Sequence, residues 1–434
     1  MTTCLKRKIY IIFFIFFVSG SNLMCSYAPV NFNKPYDVNY WMNDWYNGKK
    51  RELLKIGCSA EYGTTKKSRN YSGDSVDLLS LYQNTQSSLA MLLGADSGSD
   101  IDNFGKDLLD DINYPEVDDS YRGNFKVYAR YHELDCNLFT QLNFHFESIP
   151  GKFDITAYAP IRYMAIKNVN WVDQTRGVSS ADDMVQADLT DNLATNVMTL
   201  GDLNIGDWSK TGLGDLAFIL RWYHDFIQYK RNIDKVRLTG RLGVTVPTGA
   251  KKNEDITFSQ PLGYDGSVSV PITFGLDIYF KCKLRFGLEL ELTSIFDDTR
   301  VRRLKTNANQ TDYLLLQKGE ARKSYGTTWK FNLCLVYEHF LGGLSGRFAY
   351  QYFRHNDDDL HVKSQGFSDD IVNTAQSLKD RTFHNFIFQL NYDFFKEAKR
   401  SVIKPQLCVF YKLPVAGRRS FMSHTIGGEI AFNF

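Results

Sequence analysis

Few side chains in this sequence are spaced for catalysis or for metal binding. His132-Glu133-Leu134-Asp135-Cys136 departs from the H-E-x-x-H pattern of zinc proteases, and the eight histidines show no metal-ligand spacing. Residues 248–252, Thr-Gly-Ala-Lys-Lys, lack the spaced glycine and the Lys-Ser/Thr ending of a phosphate loop. The seven cysteines contain no C-x-x-C pair, which argues against a zinc or redox site. We therefore expect no catalytic residue, no metal and no cofactor.

Three polar groups leave alternatives open. Ser423 with His424, and His355 near Asp357, are the pairs that a hydrolase carried on a membrane barrel would use, although surface and loop polarity explains them more simply. The run 357–359, Asp-Asp-Asp, is either solvated loop charge, a site for a divalent cation or a bridge to lipopolysaccharide. None of these groups matches a complete catalytic motif.

Composition points to β-structure in contact with a membrane. The 434 residues include 51 Lys and Arg against 49 Asp and Glu, so the net charge of +2 gives no support to nucleic-acid binding. Phe (32), Tyr (25) and Gly (31) are abundant and Pro (10) is scarce, while the mean hydropathy is −0.32. Strands with one apolar and one polar face produce this balance.

The first 28 residues have the order of a secretory signal peptide. Lys6, Arg7 and Lys8 precede the apolar run 9–18, and small residues follow at 19–21. We predict a signal peptide at 1–21, with Ala28 as a later cleavage alternative, and a periplasmic segment at 22–50. Cys25 invites lipidation, but residues 22–24 are not the small residues that precede a lipidated Cys.

Alternation with period two recurs along the rest of the chain. Apolar residues occupy every second position from Val268 to Phe280 and again from Leu284 to Leu292, with polar residues and glycines between most of them. A strand turns successive side chains to opposite faces, whereas a helix would mix the two sets. About twelve such runs occur, most of them near the roughly 9–11 residues of a tilted transmembrane strand. Soluble sandwiches usually have shorter strands.

The connections between these runs alternate in length. Short ones fall at 148–151, 229–234, 281–283, 341–343 and 396–400, and long polar ones at 63–122, 167–211, 248–266, 297–324 and 356–381. Short turns on one rim and long loops on the other describe an all-β, transmembrane antiparallel β-barrel over residues 51–434. The insert 63–122 is long for a loop. Its runs at 76–82 and 89–93 predict helices that fold into the mouth, and Leu108 and Leu109 predict a further helical turn or two.

The C-terminus and two internal motifs carry a family resemblance. The chain ends Glu-Ile-Ala-Phe-Asn-Phe at Phe434, which resembles the terminal strand that the barrel-assembly machinery recognises in bacterial outer-membrane proteins. Residues 212–216, Gly-Leu-Gly-Asp-Leu, open one strand, and residues 246–249, Val-Pro-Thr-Gly, close the next. This pair is similar to a family of outer-membrane transporters linked to the meta-pathway of phenol degradation. The resemblance implies a transport barrel without defining its substrate.

Charged residues recur at the alternate strand positions that are expected to point into the barrel, away from lipid. They form either a charged pore wall that selects polar or anionic solutes, or a network of ion pairs that fills a closed barrel. The pore-lining candidates are Arg162, Arg221, Arg237, Arg241, Asp277, Arg285, Glu289, Glu291, Glu338, Arg347 and Asp393.

These patterns lead to one functional prediction and two alternatives. We expect a monomeric barrel in the bacterial outer membrane, surrounded by lipid and lipopolysaccharide, that lets small molecules pass as a porin or a selective transporter. The first alternative is a structural or adhesive surface barrel that acts through its long loops. The second is a barrel-borne hydrolase.

Overall fold

Twelve antiparallel strands form a closed barrel in the computed structural model, which describes residues 53–96, 98–111, 123–174, 190–394 and 404–434. The predicted signal peptide and periplasmic segment lie outside these residues. Each strand pairs with the next along the chain, and the last pairs with the first, with Cys58 opposite Ile430. The strands are β1 Leu54–Thr65, β2 Asn124–Phe144, β3 Lys152–Asp173, β4 Leu216–Ile227, β5 Ile233–Val246, β6 Ser269–Phe280, β7 Leu284–Ile295, β8 Thr328–Leu341, β9 Leu344–His355, β10 Arg381–Asp393, β11 Lys404–Arg418 and β12 His424–Asn433.

The predicted alternation is confirmed in the burial of the barrel strands. On β7, Leu288 is 37% exposed on the outer face, whereas Arg285 and Glu291 are 1% and 0% exposed on the inner face. Along β2 the outward leucines 134, 138 and 142 are about half exposed. The barrel therefore presents apolar side chains outward, as a bilayer requires, and most charged and polar ones inward. Its inner face also carries a buried apolar cluster that includes Phe139, Tyr158, Ile219, Val336 and Phe410.

Aromatic side chains border this apolar face at both ends. At the short-turn end the rings of Phe144 and Phe153 stack with centroids 5.7 Å apart. At the other end Tyr62 lies beside His132, and Tyr411 beside His424. From Phe144 to Leu134 the strand advances ten residues, which at ~3.3 Å each and a tilt of ~40° gives ~25 Å, the height of an outer-membrane apolar band.

The two rims differ as expected. At one rim, turns at 145–151, 228–232, 281–283 and 342–343 join neighbouring strands, in agreement with four of the predicted short connections. The fifth, 396–400, lies outside the described residues. At the other rim β2 and β3 are 21 and 22 residues long, and they extend past the segments that alternation revealed. The barrel wall is therefore tallest at this pair.

The long loops fold together into a cap over one end of the barrel. Its short strands form two three-stranded sheets and two additions to the barrel wall. The first sheet contains Ser420–Phe421, Lys67–Arg69 and Ser75–Asp77, and the second contains Asp298–Arg303, Lys318–Ser324 and Asp359–Val362. On the barrel wall, Gln86–Ser87 pairs with β2 and Trp208–Leu213 pairs with β3. The helices are α1 Asp100–Asp111, α2 Leu193–Gly201 and α3 Asp369–Val372, with 3-10 turns at Leu78–Ser80, Ala90–Leu92 and Gln376–Leu378.

The insert is partly helical, as predicted, and its α-helix includes Leu108 and Leu109 rather than the runs at 76–82 and 89–93. Residues 76–82 and 89–93 form single 3-10 turns, because their apolar side chains pack into two separate clusters of the cap. The α-helix of the insert is α1, twelve residues that include five aspartates. None of the helices described here has the length and apolar character needed to cross a bilayer.

Candidate functional site: the barrel lumen and its capped mouth

The pore-lining candidates all occupy inward register positions. Arg162, Arg221, Arg237, Arg241, Arg285, Glu291, Arg347 and Asp393 are buried, and Asp277, Glu289 and Glu338 are partly buried. Each of the twelve strands adds at least one further buried or half-buried polar side chain to this inner surface. Their role in lining a pore remains a prediction, but the geometry shows how they are grouped.

In the half of the lumen near the short turns, arginine and lysine side chains pair with aspartates from neighbouring strands. Arg221 Nε lies 2.7 Å from Asp154 Oδ2. Asp225 forms two salt bridges, through Oδ1 to Arg237 Nε at 2.6 Å and through Oδ2 to Lys235 Nζ at 2.9 Å. These charges stay buried because each is neutralised by a hydrogen-bonded partner.

A second group of charges lies at mid-height. Arg241 Nη1 donates to Glu289 Oε2 at 2.6 Å, and Asn332 Nδ2 donates to the other oxygen at 3.1 Å. Lys330 Nζ lies 3.1 Å from Glu291 Oε2 with both side chains fully buried. A cavity of about 30 Å³ remains between Arg241, Asp277, Arg285, Glu289 and Arg347, room for one or two water molecules.

The third group lies near the capped end. Arg162 makes a bidentate pair with Asp135, through Nε at 2.7 Å and Nη2 at 2.8 Å. Glu133 accepts hydrogen bonds from Tyr131 Oη and Ser423 Oγ, both at 3.0 Å. Glu133 and Asp135 are not among the predicted lining residues, because the alternation around Leu142 and Phe144 was not followed back along the strand. The available signal was the alternation of Glu133, Asp135 and Asn137 with Leu134, Cys136 and Leu138.

Four separate loops close the mouth above this group. Leu79, Phe258, Tyr313 and Phe421 come from four different connections, and all are buried. They pack against Tyr131, Met164 and Ile166 on the inner faces of β2 and β3, together with Leu78, Leu81, Val127, Trp208 and Leu262. The insert therefore contributes to a plug that several loops build jointly.

The two motifs of the family resemblance meet at the edge of this plug. Thr248 Oγ1 donates to the carbonyl of Gly214 at 2.8 Å, and the backbone N–H of Leu216 donates to Thr248 Oγ1 at 3.1 Å. Asp215, 1% exposed, accepts hydrogen bonds from the backbone N–H groups of Gly249 and Tyr264. The motifs thus fasten the loop between β5 and β6 to the barrel rim.

A cavity of about 150 Å³ remains inside the cap, a volume in which a benzene-sized molecule fits. Aromatic rings and cationic side chains share its wall. The rings are those of Tyr82, Phe258, Tyr313 and Phe421, and the cations are Lys252, Arg302, Arg303, Lys305 and Lys323. The acids of the same wall are Glu254, Asp265 and Asp312. Each cation has an acidic partner within 4 Å, and Asp255, Asp298 and Asp358 supply some of these pairs from just outside the wall. Arg302 is 5% exposed, and its Nε has no hydrogen-bond partner among the described residues.

The structure separates the pairs that a hydrolase would need. Ser423 Oγ points to Glu133 inside the barrel, whereas His424 Nδ1 contacts Tyr411 Oη at 2.7 Å on the outer side. His355 does contact an aspartate, but it is Asp358 at 3.1 Å rather than Asp357, and both side chains are 1% exposed. Burial raises the pKa of Asp358 to about 7, although Lys323, Arg381 and Arg302 act in the opposite direction.

Comparisons with known proteins bear on the fold. No protein-family model matches this sequence, and no curated protein matches it either. The crystal structure of an outer membrane channel from Pseudomonas putida F1 is 11% identical with a TM-score of 0.50, over 90% of this chain and 98% of that chain.

Two further solved structures match at a TM-score of 0.31. They are the toluene transporter TodX of Pseudomonas putida, at 9% identity over 95% of each chain, and the transport unit of the Escherichia coli autotransporter AIDA-I, at 8% identity over 93% of this chain and 98% of that one. A TM-score of 0.31 is too low to support any conclusion about this chain. Only the likeness to the outer membrane channel bears on its fold. With its apolar outer face and closed twelve-stranded wall, this chain is a transmembrane antiparallel β-barrel that shares the fold of that outer membrane channel.

Proposed function

We propose that this barrel is an outer-membrane channel for small molecules whose mouth is closed at rest by its own folded loops. The observation that carries the proposal is the inner surface, to which every strand contributes polar side chains that meet in charge-balanced groups. An apolar-filled interior would leave no path for a solute, whereas a polar wall can be hydrated once the plug moves. The resemblance of residues 212–216 and 246–249 to a transporter family agrees with this function.

The solute class follows from the cavity in the cap. Arginine and lysine side chains in the wall can donate hydrogen bonds to an anionic group, and four aromatic rings favour an apolar body. We therefore propose small organic anions, such as aromatic carboxylates, as the preferred solutes. Liposome flux of benzoate should exceed that of benzylammonium, and Arg302→Gln should reduce the difference.

The plug itself is tested by one substitution and a matched control in the same insert. Leu79 is 2% exposed among the apolar residues of the plug, so Leu79→Asp buries a carboxylate there and should loosen the loops. Tyr71 is 62% exposed, so Tyr71→Asp adds the same charge without touching the plug. In planar lipid bilayers we expect small or flickering currents from the wild type and from Tyr71→Asp, and larger sustained currents from Leu79→Asp.

Folding of each variant is checked by heat-modifiable migration on SDS gels. Equal currents from three correctly folded proteins would contradict a plug at the mouth. The cap would then be a surface domain, and the adhesive alternative would be favoured.

A further inference from the structure

Two cations face each other on the outer surface of the barrel, just above the apolar band. Arg130 on β2 is the register partner of Lys167 on β3, and both occupy outward positions, since their neighbours Tyr131 and Ile166 are buried inside. Both side chains are half-buried. Directly opposed residues have Cβ atoms ~4.5–5.5 Å apart, and like charges at that spacing repel. An anion between them would remove the repulsion.

The height of this pair matches the headgroup layer of the outer leaflet. Leu134 is the last exposed leucine of the band on β2, and Arg130 lies two outward positions beyond it, past His132. Four residues at ~3.3 Å and ~40° of tilt place Arg130 ~10 Å above Leu134. Tyr62 Oη contacts His132 Nδ1 at 3.0 Å in between, as part of the aromatic border. Lipid phosphates lie just outside such a border.

The charged residues beside Arg130 and Lys167 at the same height form a row with a net positive charge. Lys66 is the first residue after β1. Because Thr65 is opposite Tyr131, Lys66 lies opposite Arg130, and it is exposed. On the other side of β3, Ile166 is opposite Trp208, so Asp207 lies opposite Lys167. Asp207 Oδ1 accepts a hydrogen bond from the Val169 backbone N–H at 2.9 Å. Asp77 pairs with Lys67 and Lys126 higher up. The row therefore holds three cations and one acid.

We propose that Arg130 and Lys167 form a binding site for the phosphate groups of outer-leaflet lipid, the phosphorylated diglucosamine of lipopolysaccharide. The arginine fork binds phosphate oxygens in a bidentate manner, and the lysine adds a second charge. The acyl chains of the same lipid then lie along the outward leucines of β2. This site depends only on the outer face of the barrel, so it is independent of what passes through the lumen.

The test uses purified full-length protein in detergent and two probes, bisphosphorylated lipid A and its dephosphorylated form, with binding followed by native mass spectrometry. Arg130→Gln with Lys167→Gln should weaken binding of the bisphosphorylated lipid about tenfold or more, since each cation near an anionic lipid surface contributes on the order of a kcal/mol. The control is Lys230→Gln with Arg231→Gln. These residues are exposed in the turn between β4 and β5 at the opposite rim, and the control removes the same charge.

The control protein should bind as the wild type does. Arg130→Gln alone serves where the double variant does not fold, and it should still weaken binding severalfold. Wild-type binding that is equal for the two probes would overturn the proposal. So would an unchanged affinity in the Arg130 and Lys167 variant, or an equal loss in the control.

Discussion

The backbone N–H of Gly249 donates a hydrogen bond to Asp215 Oδ1 at 2.9 Å across the rim of the barrel. The second carboxylate oxygen accepts from Tyr264 N–H, so one buried side chain holds both ends of the loop between β5 and β6. Gly263 packs against the same carboxylate, where a Cβ would come within 2.2 Å of Oδ1. The loop conformation thus depends on one acid and on a neighbour without a side chain.

Asp215→Ala should release this loop while the barrel still folds. Each backbone N–H left buried without its acceptor costs about 1–3 kcal/mol, which favours the open loop. Gly263→Ala should have a similar effect, because its methyl group would displace the carboxylate. Trypsin cleavage after Lys251 or Lys252 in intact protein is the measurement, and it should become faster in both variants.

Asp255→Asn is the control for this loop, since Asp255 is about half exposed and pairs with Lys318 at the surface. Cleavage rates that match in Asp215→Ala and the wild type would show that the carboxylate does not hold the loop.

Two adjacent residues on β7 test which side chains of the barrel wall face lipid and which face the lumen. Leu288→Arg should impair insertion, because an arginine near the bilayer midplane costs ~2–4 kcal/mol on the lipid face of a barrel. Glu289→Gln, one residue away on the inner face, should insert normally. The comparison is made by heat-modifiable migration after refolding into lipid. Equal insertion of both variants would mean that the assigned faces are wrong.

The membrane part of the fold was predictable because lipid imposes one rule on every strand. From Val268 to Phe280 and from Leu284 to Leu292 the apolar parity stood out, and the structure places β6 and β7 there. Parity gives the face of a residue but not its partner. The pairing of Arg241 with Glu289, which lie on strands separated by β6, depends on barrel curvature and side-chain reach.

The taller strands and the cap were not predictable in the same way. Above Leu134 on β2 the pattern inverts, because Arg130 and His132 face outward above the bilayer while Val127 and Tyr131 face inward against the plug. The leucines of the insert were interpreted as a helix because they cluster in sequence. Their burial instead arises from contacts with other loops, which local periodicity does not encode.

The charge group at mid-height should set ion selectivity once the mouth is open. In the Leu79→Asp background, Glu289→Gln removes the acid that faces Arg241 while Arg285 and Arg347 stay nearby. A more positive constriction should favour anions, so the reversal potential in a salt gradient should shift toward the chloride potential. Lys230→Gln, at an exposed turn, is the control and should leave the potential unchanged. An unshifted potential in the Glu289 variant would place the selective constriction elsewhere.

Asp358 should make the cap less stable as pH rises. Its carboxyl contacts His355 Nε2 at 3.1 Å and the Gly326 backbone N–H at 3.3 Å, and it is 1% exposed. Burial raises its pKa from the ordinary 3.8 to about 7. Between these two values the folded protein binds more protons at this site than the unfolded chain, so the free energy of unfolding falls as pH increases from about 4 to about 7.

Replacing this acid by its neutral isostere should remove that dependence. A difference of about three pKa units corresponds to at most ~4 kcal/mol, so Asp358→Asn should be more stable than the wild type at pH 8 and similar to it at pH 4. The temperature at which gel migration changes measures this at both pH values. Asp357→Asn is the matched control, since the Asp357 side chain is half exposed and should leave the wild-type pH profile intact. If Asp358→Asn lost stability at pH 8, the buried carboxylate would be ionised and stabilising, with Lys323 at 3.8 Å as its counter-charge.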